Sequence, residues 1–478
     1  MNSPATDTAP AIARLDAWLA SMGTPVPGGP VVGLRGVSMA FTGPGFDWRI
    51  EALLDAWTAL HARTGDARFL DRIGAAMGAL AASQLPNGAF RNSYFEFNPF
   101  EGGMPHEPAA VAAALRARTA LLAAGRAPPA GFDDAVDRFA ERRLVSELWN
   151  RSLRTFNDWL QSEFETFAPA SVAAAVETLL AWRDASGRTD AGAAHIEGAG
   201  ESLLAVQRRG GALDGAFPAS NRRGDSANPY LSARVLPALA ALRSRTGDAR
   251  YGEAAERLEG FLRRTERPGG GWPFLVHAAR PPTDGPVFLG AAAGVEACRA
   301  RAGLAPASSP RTMAFVLAHQ QESGAFPTAD GFPGGRRGQP EWRDVVPVAA
   351  WNAMILHRLA LDAPAAIPGA PAPGTVRRDI RVNGRPAAWT ETAEGFRISN
   401  IERRTSNTEH RTTDAERGPR NGGGKPGVGS REVETDRPVW DPERGTRNAE
   451  PGTRTAEPPA SLLYAWRRGA AWAEVCRL

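Results

Sequence analysis

Along the first three-quarters of the chain, apolar residues recur at three- and four-residue spacing, in stretches several helical turns long. From Trp48 to Ala62 the apolar stripe is Ile50, Leu53, Leu54, Trp57 and Leu60. From Phe69 to Gln84 it is Phe69, Leu70, Ile73, Met77 and Leu80. That spacing puts the apolar side chains on one face of a helix. Gly65 supplies a left-handed residue to end the first helix, Asp66 a side chain to cap the second, and Pro86-Asn87-Gly88 a stop. The same signals predict helices near 10–22, 46–63, 67–84, 106–124, 131–148, 168–185, 190–207, 228–245, 249–266, 284–302, 309–321 and 343–361. Ser309-Pro310 is a clear start, a capping hydroxyl followed by Pro at the first helical position.

These helices fall into a repeat. Arg63-Thr64-Gly65-Asp66-Ala67-Arg68-Phe69 returns as Arg245-Thr246-Gly247-Asp248-Ala249-Arg250-Tyr251. Glycines at 65, 125, 187, 247 and 303 are spaced by 60, 62, 60 and 56 residues. Units of this length exceed those of ordinary helical solenoids. Many helices are Ala-rich on all sides, as in Ala109 to Ala120 and Ala170 to Leu180. A helix that is apolar all round is buried on more than one face. The expected fold is therefore mainly α: six helical hairpins closed into a double ring, an (α/α)6 toroid.

Each unit closes on Gln-x-x-x-Gly-x-aromatic, as Gln84…Gly88-Ala89-Phe90 and Gln320…Gly324-Ala325-Phe326. Variants are Glu266…Gly270-Gly271-Trp272 and, with a longer spacer, Gln207…Gly215-Ala216-Phe217. This closure resembles the QW repeat of squalene–hopene cyclases and protein prenyltransferase beta subunits. The hairpin pattern is also similar to that of six-hairpin glycosidases, several polysaccharide lyases and uronyl epimerases. The resemblance covers residues 10–361 and implies the toroid, not one activity. Its expected physical role is structural: the Gln satisfies orphan backbone groups, the Gly turns the chain, and the ring packs on the next hairpin.

After Pro364 the texture changes. Residues 1–362 read as the toroid and 363–374 as a Pro- and Ala-rich linker. Val376 to Val382, Ala387 to Thr392 and Phe396 to Ser399 read as short strands around tight turns. Residues 400–459 hold almost no aliphatic side chains and read as a disordered, low-complexity insertion. Apolar residues return in 460–478, so 375–399 and 460–478 form the expected small β region, interrupted by that insertion.

Composition narrows the picture. Two cysteines, Cys298 and Cys476, exclude a disulfide framework and a thiolate metal cluster. No metal and no cofactor are expected. The start has no basic-then-apolar leader and no apolar run reaches membrane length, so the expectation is a cytoplasmic protein with no membrane partner. The 56 basic and 52 acidic residues nearly balance. The basic ones, almost all Arg, are spread along the chain, so no nucleic-acid partner is expected. Nothing in the chain sets an oligomeric state.

In such a toroid the loops after the Gln motifs gather at one mouth, with the N-termini of the helices that follow. These loops are long, and long loops on a rigid frame carry function. They hold Tyr94, His106, Glu107, Glu165, Asp225 and Asp344 as candidate catalytic groups. Trp48, Asn98, Trp159, Arg222, Asn228, Tyr230, Trp342 and Arg343 are candidate substrate contacts. Aromatic platforms beside carboxylates, amides and arginines suit a carbohydrate partner. Two chemistries fit. A uronate lyase or epimerase needs a base, Tyr94 or His106, and neutralisers of the substrate carboxylate, Asn98, Asn228 and Arg222. A glycoside hydrolase needs two facing carboxylates from among Glu107, Glu165, Asp225 and Asp344.

Structural alternatives stand beside these roles. Glu107 is equally suited to open a helix, and Asp47, Asp225 and Asp344 to cap one. Tyr94 also suits packing against a neighbouring hairpin. His61, His195, His319 and His357 lie inside predicted helices and read as structural. A rival reading is an isoprenoid-cyclase-like enzyme with a deep dry aromatic cavity and one buried acid. The Asp-x-Asp-Asp acid of squalene–hopene cyclases is absent, however, and Glu296-Ala297-Cys298, the nearest match to the prenyltransferase zinc motif, lies late in a helix. A third reading is a non-catalytic glycan- or protein-binding toroid.

Overall fold

The structure is a computed structural model of all 478 residues. It describes positions 8–21, 23–26, 29–34, 48–90, 107–157, 166–221, 224–304, 310–332, 342–344, 347–369, 376–382, 385–392, 395–400 and 463–465, with 21–34, 48, 49, 342 and everything from 376 onward described by backbone alone.

The helices are α1 (Ala9–Ser21), α2 (Trp48–Thr64), α3 (Ala67–Ala82), α4 (Glu107–Ala123), α5 (Phe132–Arg138), α6 (Pro169–Ser186), α7 (Ala193–Val206), α8 (Pro229–Ala233), α9 (Leu236–Thr246), α10 (Ala249–Thr265), α11 (Leu289–Arg301), α12 (Pro310–Leu317) and α13 (Ala349–Leu361). Three depart from the sequence pattern. The segment predicted at 131–148 continues beyond α5 as a π-helix, Phe139–Leu148. The segment at 228–245 is split, because Pro237 has no N–H to donate to the carbonyl four residues back. The segment at 343–361 opens with an isolated 3₁₀ turn, Trp342–Asp344, before α13.

α2, α4, α6, α8 with α9, α11 and α13 pack side by side in that order, and α13 closes back on α2. They form the inner ring of an (α/α)6 toroid. α1, α3, α5, α7, α10 and α12 form the outer ring. The Ala-rich composition of the inner helices follows from this position. α4 buries Glu107 through Leu115 almost without a break, and α11 buries Leu289 through Arg299. Small side chains let helices flanked on both sides approach closely.

The repeat glycines do two different jobs. Gly65, Gly125, Gly187, Gly247 and Gly303 follow the C-terminal ends of inner helices with φ between 68° and 73°, the left-handed conformation that favours glycine. Asp66 and Asp248 then cap the next outer helices, each accepting from an N–H two residues on at 2.9 Å. At the other end the Gln closures tie hairpin to hairpin. Gln84 donates its amide to the carbonyls of Gly88 and of Ala135 on α5; Gln207 repeats this with Gly215 and Ala254, and Gln320 with Gly324 and Ala11. Each amide oxygen accepts from an Arg three residues further on: Arg138, Arg257 and Arg14. Glu266 cannot donate, and there the bond reverses: Thr312 donates to it at 2.9 Å. The turn residue must be Gly because a Cβ on Gly215 would lie 2.1 Å from the Arg257 carbonyl oxygen; Gly88, Gly270 and Gly324 meet the equivalent carbonyls at 2.8, 2.7 and 2.5 Å.

The closing aromatics Phe90, Phe217, Trp272 and Phe326 are buried. Three are pinned to the inner helix that follows. Phe90 N–H donates to Glu107, Phe217 N–H to Ser232 and Phe326 N–H to Asn352.

Strands 376–382, 385–392, 395–400 and 463–465 form one antiparallel sheet, the first three in sequence order and the last beside 395–400. Of the low-complexity segment expected at 400–459, Asn400 ends a strand and 401–459 lie outside the described residues. No helix among the described residues is long and apolar enough to cross a membrane.

Candidate functional site

The N-termini of the inner helices open at one end of the ring, and short antiparallel ladders stitch the loops above them together. Ser226–Ala227 pairs with Val276–His277, and Val287–Phe288 with Ala329–Asp330. Down from this mouth runs a continuous aromatic wall. Phe332 meets Phe288 edge-on with ring centres 5.4 Å apart, and Phe274 lies 4.5 Å from Phe288. Phe288 lies 5.4 Å from Trp351, and Trp351 lies 6.1 Å from Tyr230. Phe274, Phe288, Phe332 and Trp351 are only half-buried, whereas Tyr230 is buried. Two glycines make room at the bottom. A Cβ on Gly294 would lie 2.6 Å from the Tyr230 ring, and one on Gly290 would lie 2.6 Å from Trp351.

Below the wall the bore is crossed by ions. Arg234, just past α8, stands 2.7 and 2.8 Å from the two carboxylate oxygens of Glu51 on α2, the diametrically opposite helix. The same Arg234 donates to the Tyr230 hydroxyl at 3.2 Å. A second set lies deeper. Arg116 on α4 grips Asp55 on α2 through two bonds of 2.8 Å and reaches Glu177 on α6 at 3.4 Å. Arg301 on α11 donates to Glu177 from across the bore. Glu51, Tyr230, Arg234, Cys298, Arg301 and His357 line a small cavity with room for about one water molecule.

The protonation states follow from burial and pairing. Burial alone would raise the Asp55 carboxyl, but the charge of Arg116 overrides it and holds Asp55 well below the usual carboxylate range. Burial likewise disfavours charge on Arg234, and Glu51 beside it reverses this, so Arg234 is firmly charged. Burial pushes the Tyr230 phenol well above its ordinary value and the Cys298 thiol up to about 11. Burial lowers His357 to about 4, against the attraction of Asp55. At neutral pH the floor thus holds a neutral imidazole, a neutral phenol and three arginine–carboxylate partnerships.

The candidates from the sequence divide. Tyr230 is buried and lines the small cavity. Arg343 and Asp344 sit at the mouth: Arg343 lies over the Phe332 ring at 4.3 Å, and Asp344 accepts from Phe332 N–H at 3.5 Å. Asp225 is exposed, and its backbone carbonyl accepts from Ala278. Glu107 is completely buried, receives Phe90 N–H at 2.8 Å and faces Arg143 at 3.5 Å, which makes it part of the frame. Asn228 is buried and caps α8 by accepting from Leu231 N–H at 3.0 Å. Tyr94, Asn98, His106, Trp159, Glu165 and Arg222 lie outside the described residues, as do the side chains of Trp48 and Trp342.

His357, read as structural, is buried on α13 and lines the small cavity, as does Cys298 late in α11. Glu51, Asp55, Arg116, Glu177, Arg234 and Arg301 were missed, though a signal was present. Arg116 and Glu177 interrupt Ala-rich helices that are apolar all round, and a charge there must find a partner or a channel. Gly290 and Gly294, unfavourable inside a helix, mark close approach. Among the described residues no group of His, Cys, Asp and Glu is arranged to hold a metal ion.

No family model matches the chain, and no curated protein does. Solved structures do. One is a D-mannose isomerase, at 12% identity over 76% of this chain and 100% of that one, with a TM-score of 0.52. Another is a possible GH105 family member from Klebsiella pneumoniae subsp. pneumoniae MGH 78578, at 12% identity over 76% and 95%, with a TM-score of 0.53. A family 76 glycoside hydrolase from a bovine Bacteroides thetaiotaomicron strain matches at 10% identity over 74% and 77%, with a TM-score of 0.51. At such identities the likeness is one of fold: the chain is a six-hairpin α/α toroid.

Proposed function

We propose that this chain is a carbohydrate-active enzyme that binds the end of a sugar chain, or a single sugar, against the aromatic wall above the Glu51–Arg234 pair and moves a proton there. The observation that carries the reading is the aromatic wall from Phe332 to Tyr230, ending on the Glu51–Arg234 pair. Half-exposed rings offer stacking faces to a pyranose, and the ionic floor offers directional partners for its hydroxyls. The three structures of similar fold are named for an isomerase and two glycosidase families, which supports a sugar as the partner.

Between the two chemistries, the floor favours proton transfer over hydrolysis. Glycoside hydrolysis needs one carboxylic acid held protonated opposite a carboxylate. Each floor carboxylate instead faces an arginine, and Asp55 is held strongly ionised. A carboxylate base at Glu51 with the neutral Tyr230 phenol as proton donor suits abstraction beside a carbonyl and reprotonation. An isoprenoid cyclase is disfavoured by the same charges, since its carbocations need a dry aromatic cavity.

Incubation in D2O with a panel of neutral and acidic mono- and oligosaccharides tests this. Deuterium incorporation or a new epimer or isomer by NMR, lost in Glu51→Gln and Tyr230→Phe, is the expected result. New reducing ends without deuterium incorporation would assign hydrolysis to the mouth carboxylates instead. Neither binding nor conversion of any sugar by the folded protein would overturn the reading.

A further inference from the structure

The sequence alone suggested a uronate as one substrate class. We infer that the site takes a neutral sugar, and that Glu51 is the residue that sets this preference. The inference rests on the carbohydrate reading above. It follows from where the charges of the floor are directed.

A uronate entering the bore brings a carboxylate that loses most of its water. It then needs a cation in its place, or the desolvation is not repaid. The described floor holds three arginines and three carboxylates, and each arginine already faces one of them. Arg234 is held between both oxygens of Glu51. Arg116 holds Asp55 through a two-bond fork and touches Glu177. Arg301 holds Glu177. His357, the remaining basic group on this floor, is neutral. A substrate carboxylate would therefore add a net negative charge beside Glu51. A neutral sugar meets the same groups without that cost, as donors and acceptors for its hydroxyls.

Of the three arginines, Arg234 stands highest in the bore, and its Tyr230 contact places it at the foot of the aromatic wall. Glu51 is what occupies it. Removing the Glu51 charge leaves Arg234 as an uncompensated cation at the point where the sugar arrives. Glu51 is thus a specificity-determining group: it converts an arginine that would select acidic sugars into a neutral polar pair.

The test is binding to matched pairs that differ only at C6: glucose and glucuronate, mannose and mannuronate, galactose and galacturonate. Affinities would be measured by calorimetry or saturation-transfer NMR on the full chain. The wild type is expected to bind at least one neutral sugar tenfold or more tighter than its uronate. In Glu51→Gln the ratio is expected to move tenfold or more toward the uronate. The double variant Glu51→Gln, Arg234→Gln should lose that gain, which separates a freed cation from a general loosening of the bore. Equal or tighter binding of uronates by the wild type would overturn the inference and leave the carbohydrate reading standing. An unchanged ratio in a folded Glu51→Gln would overturn the role of Glu51. If Glu51→Gln does not fold, Glu51→Asp, which keeps the charge but withdraws it from Arg234, takes its place: a ratio moved toward the uronate supports the role of Glu51, and an unchanged ratio overturns it. Binding of no sugar of either kind would sink the carbohydrate reading itself.

Discussion

Gln320 donates its side-chain amide to the backbone carbonyl of Ala11 at 2.9 Å, joining positions 309 residues apart. This bond closes the outer ring, because α1 is the first described helix and Gln320 follows the last outer one. It is the same bond that Gln84 and Gln207 make to α5 and α10. The difference lies in what it connects: chain neighbours there, the two ends of the ring here. Gln320→Ala leaves the Ala11 carbonyl, the Gly324 carbonyl and the Arg14 guanidinium each short of a partner. The expected loss is about 1–3 kcal/mol, read from urea unfolding. Unchanged stability in Gln320→Ala would show that the closure rests on apolar packing alone.

The two classes of repeat glycine should respond differently to alanine. Gly65 has φ +68° and open space where a Cβ would go. Gly65→Ala therefore meets only the left-handed backbone penalty, about 1 kcal/mol. Gly215 has φ +85°, and a Cβ there would lie 2.1 Å from the Arg257 carbonyl oxygen. Gly215→Ala must push two hairpins apart and break the Gln207 tie, so its loss should exceed that of Gly65→Ala by about 1–3 kcal/mol. Thermal unfolding of the two variants side by side checks the order, and equal losses would contradict the close approach.

The toroid was legible in the chain because it is made of repeated local signals. A Gly that ends a helix, an Asp that caps one and an apolar stripe at helical spacing are short-range features, and the 60-residue period multiplies them. The site was legible only in part, because it is made by distance. Glu51 and Arg234 are 183 residues apart in sequence and meet only because ring closure sets α2 opposite the α8–α9 junction. Tyr230 starts an inner helix, so its segment was legible as one near the mouth, and the residue lines the small cavity. His357 was placed in a helix, but nothing local separates a histidine facing the bore from one facing the outer ring. Glu107 shows the converse. Its position beside Pro108 at a helix start suited a mouth acid, but the helix begins under the closing aromatic Phe90, so the carboxylate is enclosed.

Glu107 therefore gives a clean separation of frame from function. Glu107→Gln keeps an oxygen for Phe90 N–H but removes one of the two carboxylates facing the buried Arg143, which keeps Glu147 at 2.7 Å. Stability should fall by about 1–3 kcal/mol, the cost of weakening a buried charged hydrogen-bond partner, with sugar binding by the folded fraction unaltered. Full stability with lost turnover would return Glu107 to the catalytic set.

Gly294 tests the aromatic wall without touching a charged group. Gly294→Ala places a methyl 2.6 Å from a Tyr230 ring carbon. The ring has to shift, and with it the hydroxyl that Arg234 holds at 3.2 Å. A helix-interior Gly→Ala change favours the helix by about 1 kcal/mol, offsetting part of a packing cost of about 1–3 kcal/mol. Stability should thus change little while sugar affinity falls tenfold or more. Retained affinity would remove Tyr230 from the binding surface.

His357 predicts how acid should act on the fold. Its imidazole faces Asp55 and Glu51 on α2, Arg116 on α4 and Arg301 on α11. Burial keeps it neutral down to about pH 4, whereas an unfolded chain's histidine takes up a proton near 6.5. Between those values the unfolded state binds the extra proton, so stability falls as pH falls, by about 3 kcal/mol in all for this one group. Asp55 works in a separate window. Its folded carboxyl is depressed, so its contribution is present above the ordinary carboxylate value and is lost only below it, once His357 has already titrated. The expected signature is a difference between wild type and His357→Asn. The wild type should lose stability from pH 6.5 to 4 more steeply than the variant, and the two slopes should converge above pH 7. Parallel slopes across that window would mean that the imidazole takes its proton inside the folded bore.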